Sequence, residues 1–210
     1  MNTEKKKILT SFLIPAGFIG ILWILKLSEI WFNFSLIPYG IYPRVPSGLI
    51  GIIFSPMIHS NITHLFSNTL PLFFLGTGIL YFYRNSSFKV FGLIYLVPGL
   101  LVWLFGRSSY HIGASWLIYG FVTFLFFSGV IRRDTRSIAL ALLVTFVYGS
   151  LIWGVLPLDN GISWEGHLFG ALIGIISAVL FRKLDPYKRY TWDEDAEIEE
   201  HDNFDVRLED

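Results

Sequence analysis

Six apolar stretches, at 8–25, 62–83, 90–106, 112–131, 137–158 and 166–181, set the strongest limit on what this chain can become. Each is about long enough to cross a bilayer as a helix, and such runs have no soluble counterpart outside a buried core. With 53% of its residues hydrophobic and its charges gathered in short clusters, the chain is expected to be an all-α, polytopic membrane protein. The last stretch is the shortest, and tilt or the preceding Gly161 to Trp164 would make up its length.

Basic residues set the expected orientation. Lys5 to Lys7, Arg84 and Lys89, Arg132, Arg133 and Arg136, and Arg182, Lys183, Lys188 and Arg189 fall at alternate ends of the six stretches. Because lysine and arginine are held on the cytoplasmic side of short loops, both termini are expected in the cytoplasm, with Lys26, Arg44 and Arg107 as the exceptions. The basic, apolar N-terminus lacks a small-residue cleavage site, so it reads as a retained first span rather than a signal peptide. The expected organisation is a short cytoplasmic N-terminus at 1–7, a six-span core at 8–181 and an acidic, solvated cytoplasmic tail at 182–210. The first outer connection carries Pro38, Pro43, Pro46 and Pro56 and little charge. It is expected to lie partly in the interface, with Trp31, Phe32, Tyr39 and Tyr42 at headgroup depth.

The chain has no cysteine, which removes disulfides, thiolate metal sites and thiol nucleophiles together. No metal or cofactor is expected, and the partners expected are the lipid bilayer and membrane proteins rather than nucleic acid.

Polar residues inside spans are costly, so their positions carry information. Three places qualify: HSNITHLFSN at the start of the second span, GASW at the start of the fourth and WEGHLFGALIG at the start of the sixth. All three begin at the same surface, so His64, Ser115 and His167 share one shallow depth. In the sixth span Gly166, Gly170 and Gly174 form a small-residue stripe that admits a close neighbour, and His167 lies beside it. Ser115 and Tyr119, four apart, share a face of the fourth span. If that span is the neighbour, Ser115 meets His167 and Tyr119 packs on the imidazole. A neutral histidine is a suitable base for a serine hydroxyl, which is otherwise a poor nucleophile. Asp159 and Glu165 are the nearest carboxylates for a third member, although loop carboxylates are usually just solvated. His64 and Asn68, also four apart, offer two donors for an oxyanion; the alternative is a hydrogen-bonded pair that only holds helices together.

Taken together, these motifs resemble those of the rhomboid family of intramembrane serine proteases. The resemblance rests on His59, His64 and Asn68 as H-x-x-x-x-H-x-x-x-N, on Gly113-Ala114-Ser115 with Tyr119 following, and on Gly166-His167 leading Gly170 and Gly174. It implies a six-helix bundle in which Ser115 attacks the scissile carbonyl, His167 is base and then acid, and Tyr119 stacks on His167. His64, Asn68 and the Ser115 backbone N–H would form the oxyanion hole, with His59 as a structural or hydrogen-bonding loop residue. It further implies transmembrane protein substrates cleaved near the outer leaflet. A bacterial-type plasma membrane is the expected location, and a catalytically inactive, client-binding rhomboid-like protein is the alternative. Two features depart from the family pattern. Trp116 stands where glycine usually follows the serine, and Ile50 and Gly51 lie near the place of a Trp-Arg pair in the first outer loop. One helical step turns Trp116 about 100° from Ser115, so its ring is expected to face lipid or the fifth span.

Overall fold

The computed structural model describes residues 3–158 and 161–186. Among them the structure is helical, with one isolated antiparallel bridge between Ile41 and His111. The long helices are α1 (Thr3–Phe32), α3 (Ile62–Phe82), α4 (Ser87–Phe105), α5 (Ser115–Arg132), α6 (Thr135–Tyr148) and α7 (Trp164–Leu180), with a four-residue α2 (Gly51–Phe54) in the first connection. Five stretches, the first four of these long helices and Thr135–Val155, are long and apolar enough to cross a membrane; α7, an apolar helix of 17 residues, falls just short of that length. The protein is an integral membrane helical bundle.

The first helix runs well past the expected span at both ends, taking in residues 3–7 and continuing through Lys26 and Glu29. Those charges do not break it because each is answered. Lys26 Nζ donates to Glu29 Oε2 at 3.2 Å and to the carbonyls of His59 and Ser60 at 3.0 and 3.1 Å. Glu29 Oε1 accepts from Leu36 N at 2.7 Å. An ion pair inside the first helix thus fixes the loop that leads into α3.

The first connection is built of short turns at Ile37–Tyr39, Pro46–Ile50 and Ser55–Met57 around α2. Trp31 and Phe32 project, 85% and 71% exposed, whereas Tyr42 packs edge-on against Tyr110 at 5.1 Å. Arg44 straps this loop to the end of α4, donating to Gly106 O at 2.7 Å and to Ser108 Oγ at 3.1 Å, and Trp103 Nε1 donates to Val45 O at 2.9 Å. Trp103 and Arg44, from two different segments, thus anchor this loop.

Helix α5 is the central element. It packs most extensively on α7, then on α6, and touches α3 and α4. Its buried face includes Trp116, Leu117, Phe121, Phe124 and Leu125. Helix α6 is the most peripheral, with Leu142 and Phe146 65% and 90% exposed, as befits a helix facing lipid. After Tyr148 it tightens into a 3₁₀ segment, Gly149–Val155.

Within 182–186, where a solvated tail is expected to begin, Arg182, Lys183 and Pro186 are exposed and Asp185 is tied to the bundle. Asp185 is buried: its Oδ1 accepts from Asn85 N at 2.8 Å, and its Oδ2 accepts from Ser86 N at 3.1 Å and Ser86 Oγ at 2.6 Å. It thereby satisfies donors at the start of α4, where a helix has no internal acceptors for them. The rest of the expected tail, 187–210, lies outside the described residues. Replacing Asp185 with alanine would remove the acceptor of Asn85 N and leave Ser86 N and Oγ with Tyr83 O alone, and we expect a loss of about 1–3 kcal/mol, read as a lower thermal midpoint in detergent.

Candidate active site

The α5–α7 contact is made by the absence of side chains. A Cβ on Gly170 would collide with the Trp116 carbonyl oxygen, and one on Gly174 with the Gly120 carbonyl oxygen and Thr123 Oγ1. Thr123 Oγ1 itself donates across the contact to Ala171 O at 2.9 Å. Backbones this close bring the first turns of the two helices side by side.

At that end, Ser115 Oγ lies 2.8 Å from His167 Nε2. The other ring nitrogen, Nδ1, is 2.9 Å from Gly154 O. A carbonyl can only accept, so Nδ1 carries the hydrogen, and in the neutral ring Nε2 is then the acceptor for the serine proton. Tyr119 stacks on the imidazole with ring centres 4.2 Å apart and planes 10° from parallel. Both Ser115 and Tyr119 meet His167 because residues four apart share a helix face.

The partner that orients the histidine is a backbone carbonyl, not a carboxylate. Glu165 turns away: its Oε1 accepts from Arg107 N at 3.2 Å, and its Oε2 is 3.7 Å from Arg107 Nη1. Asp159 lies outside the described residues. Gly154 O is free to accept because it sits in the last 3₁₀ turn after α6, where carbonyls lack partners within the helix. Nothing in the residue type of Gly154 marks it for this contact in the sequence. Its lack of a side chain is nonetheless required, since a Cβ there would collide with Tyr119 Oη and lie 3.3 Å from His167 Nδ1.

Trp116 does not face lipid or the fifth span. It is only 1% exposed and sits in the α5–α7 contact, with Cε3 3.3 Å from where a Cβ on Gly166 would be. Gly166 and His167 are consecutive, as are Ser115 and Trp116, so each member of one pair meets one member of the other. The missing side chain of Gly166 makes room for the indole, and the ring does not come between Ser115 and His167.

His64 and Gly113 are also in contact. Gly113 has φ +106°, a conformation that favours glycine, and a Cβ there would lie 2.8 Å from His64 Cε1 and 2.9 Å from Nε2. His64 therefore lies over the loop two residues before Ser115. Asn68 is buried, and its Nδ2 donates to His64 O one turn back at 2.8 Å; an amide nitrogen carries a second hydrogen as well. Ser115 is the first residue of α5, so its N–H is one of the donors left unpaired at a helix start. His59 is buried with its ring edge-on to His64, 5.0 Å between centres. Burial and the neighbouring His64 lower its pKa to about 3, which keeps it neutral.

A second layer of residues, assigned no role in the sequence, holds the serine loop. Ser55 Oγ accepts from Ile41 N at 2.9 Å and donates to His111 O, while Ser55 O accepts from Gly113 N at 2.9 Å. The buried His111 ring donates from Nε2 to Arg107 O at 3.0 Å, so its Nδ1 accepts from Ser163 Oγ at 2.6 Å. Burial pushes its pKa below the usual imidazole range, in keeping with that neutral form. Since Ser163 directly precedes α7, His111 ties the loop that presents Ser115 to the helix that carries His167. The only trace of these contacts in the sequence is a run of small polar residues and histidines near GAS.

Comparison with known proteins identifies the family. The Rhomboid domain family model matches residues 46–184, and the chain belongs to the rhomboid family. An uncharacterized protein of Mycobacterium tuberculosis is 36% identical over 172 residues, covering 78% of this chain and 72% of that protein. An uncharacterized Mycobacterium leprae protein is 35% identical over the same length, covering 78% and 68%. RHOMBOID-like protein 2 of Arabidopsis thaliana is 31% identical over 130 residues, covering 58% of this chain and 40% of its own. Membership places the chain among intramembrane proteases and rhomboid-like proteins.

The role of Gly154 is testable apart from the serine and histidine themselves. Gly154→Ala would displace Tyr119 and the His167 ring from the Nδ1 side. In a membrane-substrate cleavage assay we expect kcat to fall about tenfold or more with little change in thermal midpoint.

Proposed function

We propose that this protein is an intramembrane serine endopeptidase working through Ser115 and His167. The observation that carries this reading is the Ser115 Oγ to His167 Nε2 distance of 2.8 Å, with Nδ1 held by Gly154 O. Ser115 Oγ attacks the scissile carbonyl carbon as its proton passes to His167 Nε2. The developing oxyanion is held by the Ser115 N–H with His64 and Asn68 as side-chain donors. Collapse of the intermediate breaks the C–N bond, and the leaving amine takes the proton from His167. Water then attacks the acyl-enzyme with His167 again as base, releasing the carboxylate product and Ser115. Tyr119 keeps the imidazole plane fixed through both steps.

The substrates in this reading are single-span membrane proteins with a small residue at the cleaved bond. Their helices must open there, because a helical backbone hides its carbonyls in internal hydrogen bonds. In the proposed orientation both termini face the cytoplasm of a bacterial-type cell, and cleavage falls near the outer leaflet. A purely client-binding role is the second reading; the preserved serine–histidine hydrogen bond favours the first.

The test is cleavage of a single-span model substrate by the purified protein in mild detergent. Ser115→Ala should abolish it, and His167→Ala should reduce it by about 10²–10⁴-fold or more. If the folded parent cleaves none of a panel of such substrates, the client-binding reading replaces this one. Because the base must be neutral, the rate should fall as the medium is acidified. A rate that stays flat down to the lowest pH at which the protein remains folded would remove His167 from that role.

A further inference from the structure

Away from Ser115 and His167, the bundle contains an apolar cavity of about 220 Å³ between α1 and α4. Leu72, Gly76, Ile79 and Leu80 of α3 and Phe121 of α5 form its floor. Ile14, Pro15 and Phe18 of α1 and Ser87, Phe88 and Phe91 of α4 form its sides. Gly76 and Pro15 bring α3 and α1 together, a Cβ on Gly76 lying 3.3 Å from Pro15 Cγ. Toward the Ser115 end, Phe18 closes the space with Phe91 and Tyr95, ring centres 6.0 and 6.4 Å apart. Toward the other end, the lining residues Ile14 and Phe88 are 43% and 67% exposed, and we take the mouth of the cavity to lie between them. Apolar cavities smaller than this, of about 150 Å³, stay dry and take up hydrocarbon.

The rim at the open end is cationic. Arg84, on the turn between α3 and α4, reaches Thr10 Oγ1 of α1 at 3.4 Å. Lys7 Nζ lies 4.3 Å from the centre of the Tyr81 ring, beside the cavity residue Leu80. Lys89 is exposed and follows Phe88 directly. Two acidic groups are near: Glu4 lies almost one turn beyond Lys7, and Asp185 is turned inward onto Asn85 and Ser86. Along α1, the 11 residues from Phe18 to Lys7 span about 16 Å. An acyl chain inserted below Phe18 would thus place a headgroup phosphate at the depth of Lys7, Arg84 and Lys89.

We propose that this cavity binds one acyl chain of an anionic phospholipid, whose phosphate headgroup is held by Lys7, Arg84 and Lys89. The hydrocarbon pocket supplies chain affinity, and the three cations select anionic over zwitterionic lipid. The site is independent of the protease reading, since none of its residues touches Ser115 or His167 and its test reads binding, not cleavage.

The experiment is a lipid titration of the delipidated full-length protein in an uncharged detergent, followed by native mass spectrometry. The probes are dioleoyl phosphatidylglycerol and dioleoyl phosphatidylcholine. One equivalent of phosphatidylglycerol should bind at least tenfold more tightly than phosphatidylcholine. The double variant Arg84→Gln with Lys89→Gln, at exposed positions, should erase that preference. Leu80→Trp, which fills the cavity, should weaken both lipids at least fivefold, and the charge variant still tests the headgroup if Leu80→Trp does not fold. Equal binding of the two lipids by the parent, or an undiminished preference in the charge variant, would overturn the anionic selection. Full affinity in a folded Leu80→Trp protein would overturn the cavity as the chain site.

Discussion

The close approach of α5 to α7 is the constraint on which the rest depends. Where Gly170 and Gly174 meet the carbonyls of Trp116 and Gly120, no Cβ can be accommodated. In a bilayer there is little hydrophobic force to bring helices together, so association relies on packing and interhelical hydrogen bonds. The glycines supply the first, and the Thr123 to Ala171 bond supplies the second. The stripe therefore does more than join two helices. It sets the separation at which a short serine side chain can reach an imidazole on the neighbouring helix.

Around that contact the loops act as fixed spacers. His111 links the serine loop to Ser163 at the head of α7, and Ser55 ties the same loop to the first connection. The three basic residues that break the charge asymmetry of the sequence have related uses. Lys26 binds Glu29 and two carbonyls of the loop before α3. Arg44 binds Gly106 O and Ser108, and Arg107 pairs with Glu165 and donates to Ile162 O. Each of these cations is held by carbonyls or side chains of a neighbouring loop, and so ties that loop in place.

The tryptophan after the serine illustrates how a local rule fails. A rotation of 100° separates neighbouring side chains on one helix, but a tightly apposed partner helix covers more than one direction. Gly166 leaves a gap beside His167, and the indole fills it. The departure from the family pattern is compensated at a glycine that a motif reading assigns only to helix approach.

The sequence by itself determined the class and much of the bundle, because apolar length has few interpretations in a membrane and an uncompensated charge is costly there. It also brought forward Ser115, Tyr119, His64, Asn68 and His167, since polar residues at one depth of several spans stand out against an apolar background. Tertiary structure decided what those residues touch. Gly154 offers a backbone carbonyl, which every residue possesses, so no side-chain type announced it as the partner of His167. Glu165 looked like a candidate by proximity in sequence but is drawn to Arg107, 58 positions away. The inward packing of Trp116 and the burial of Asp185 likewise follow from which helix lies opposite, information that becomes physical only when the chain is folded.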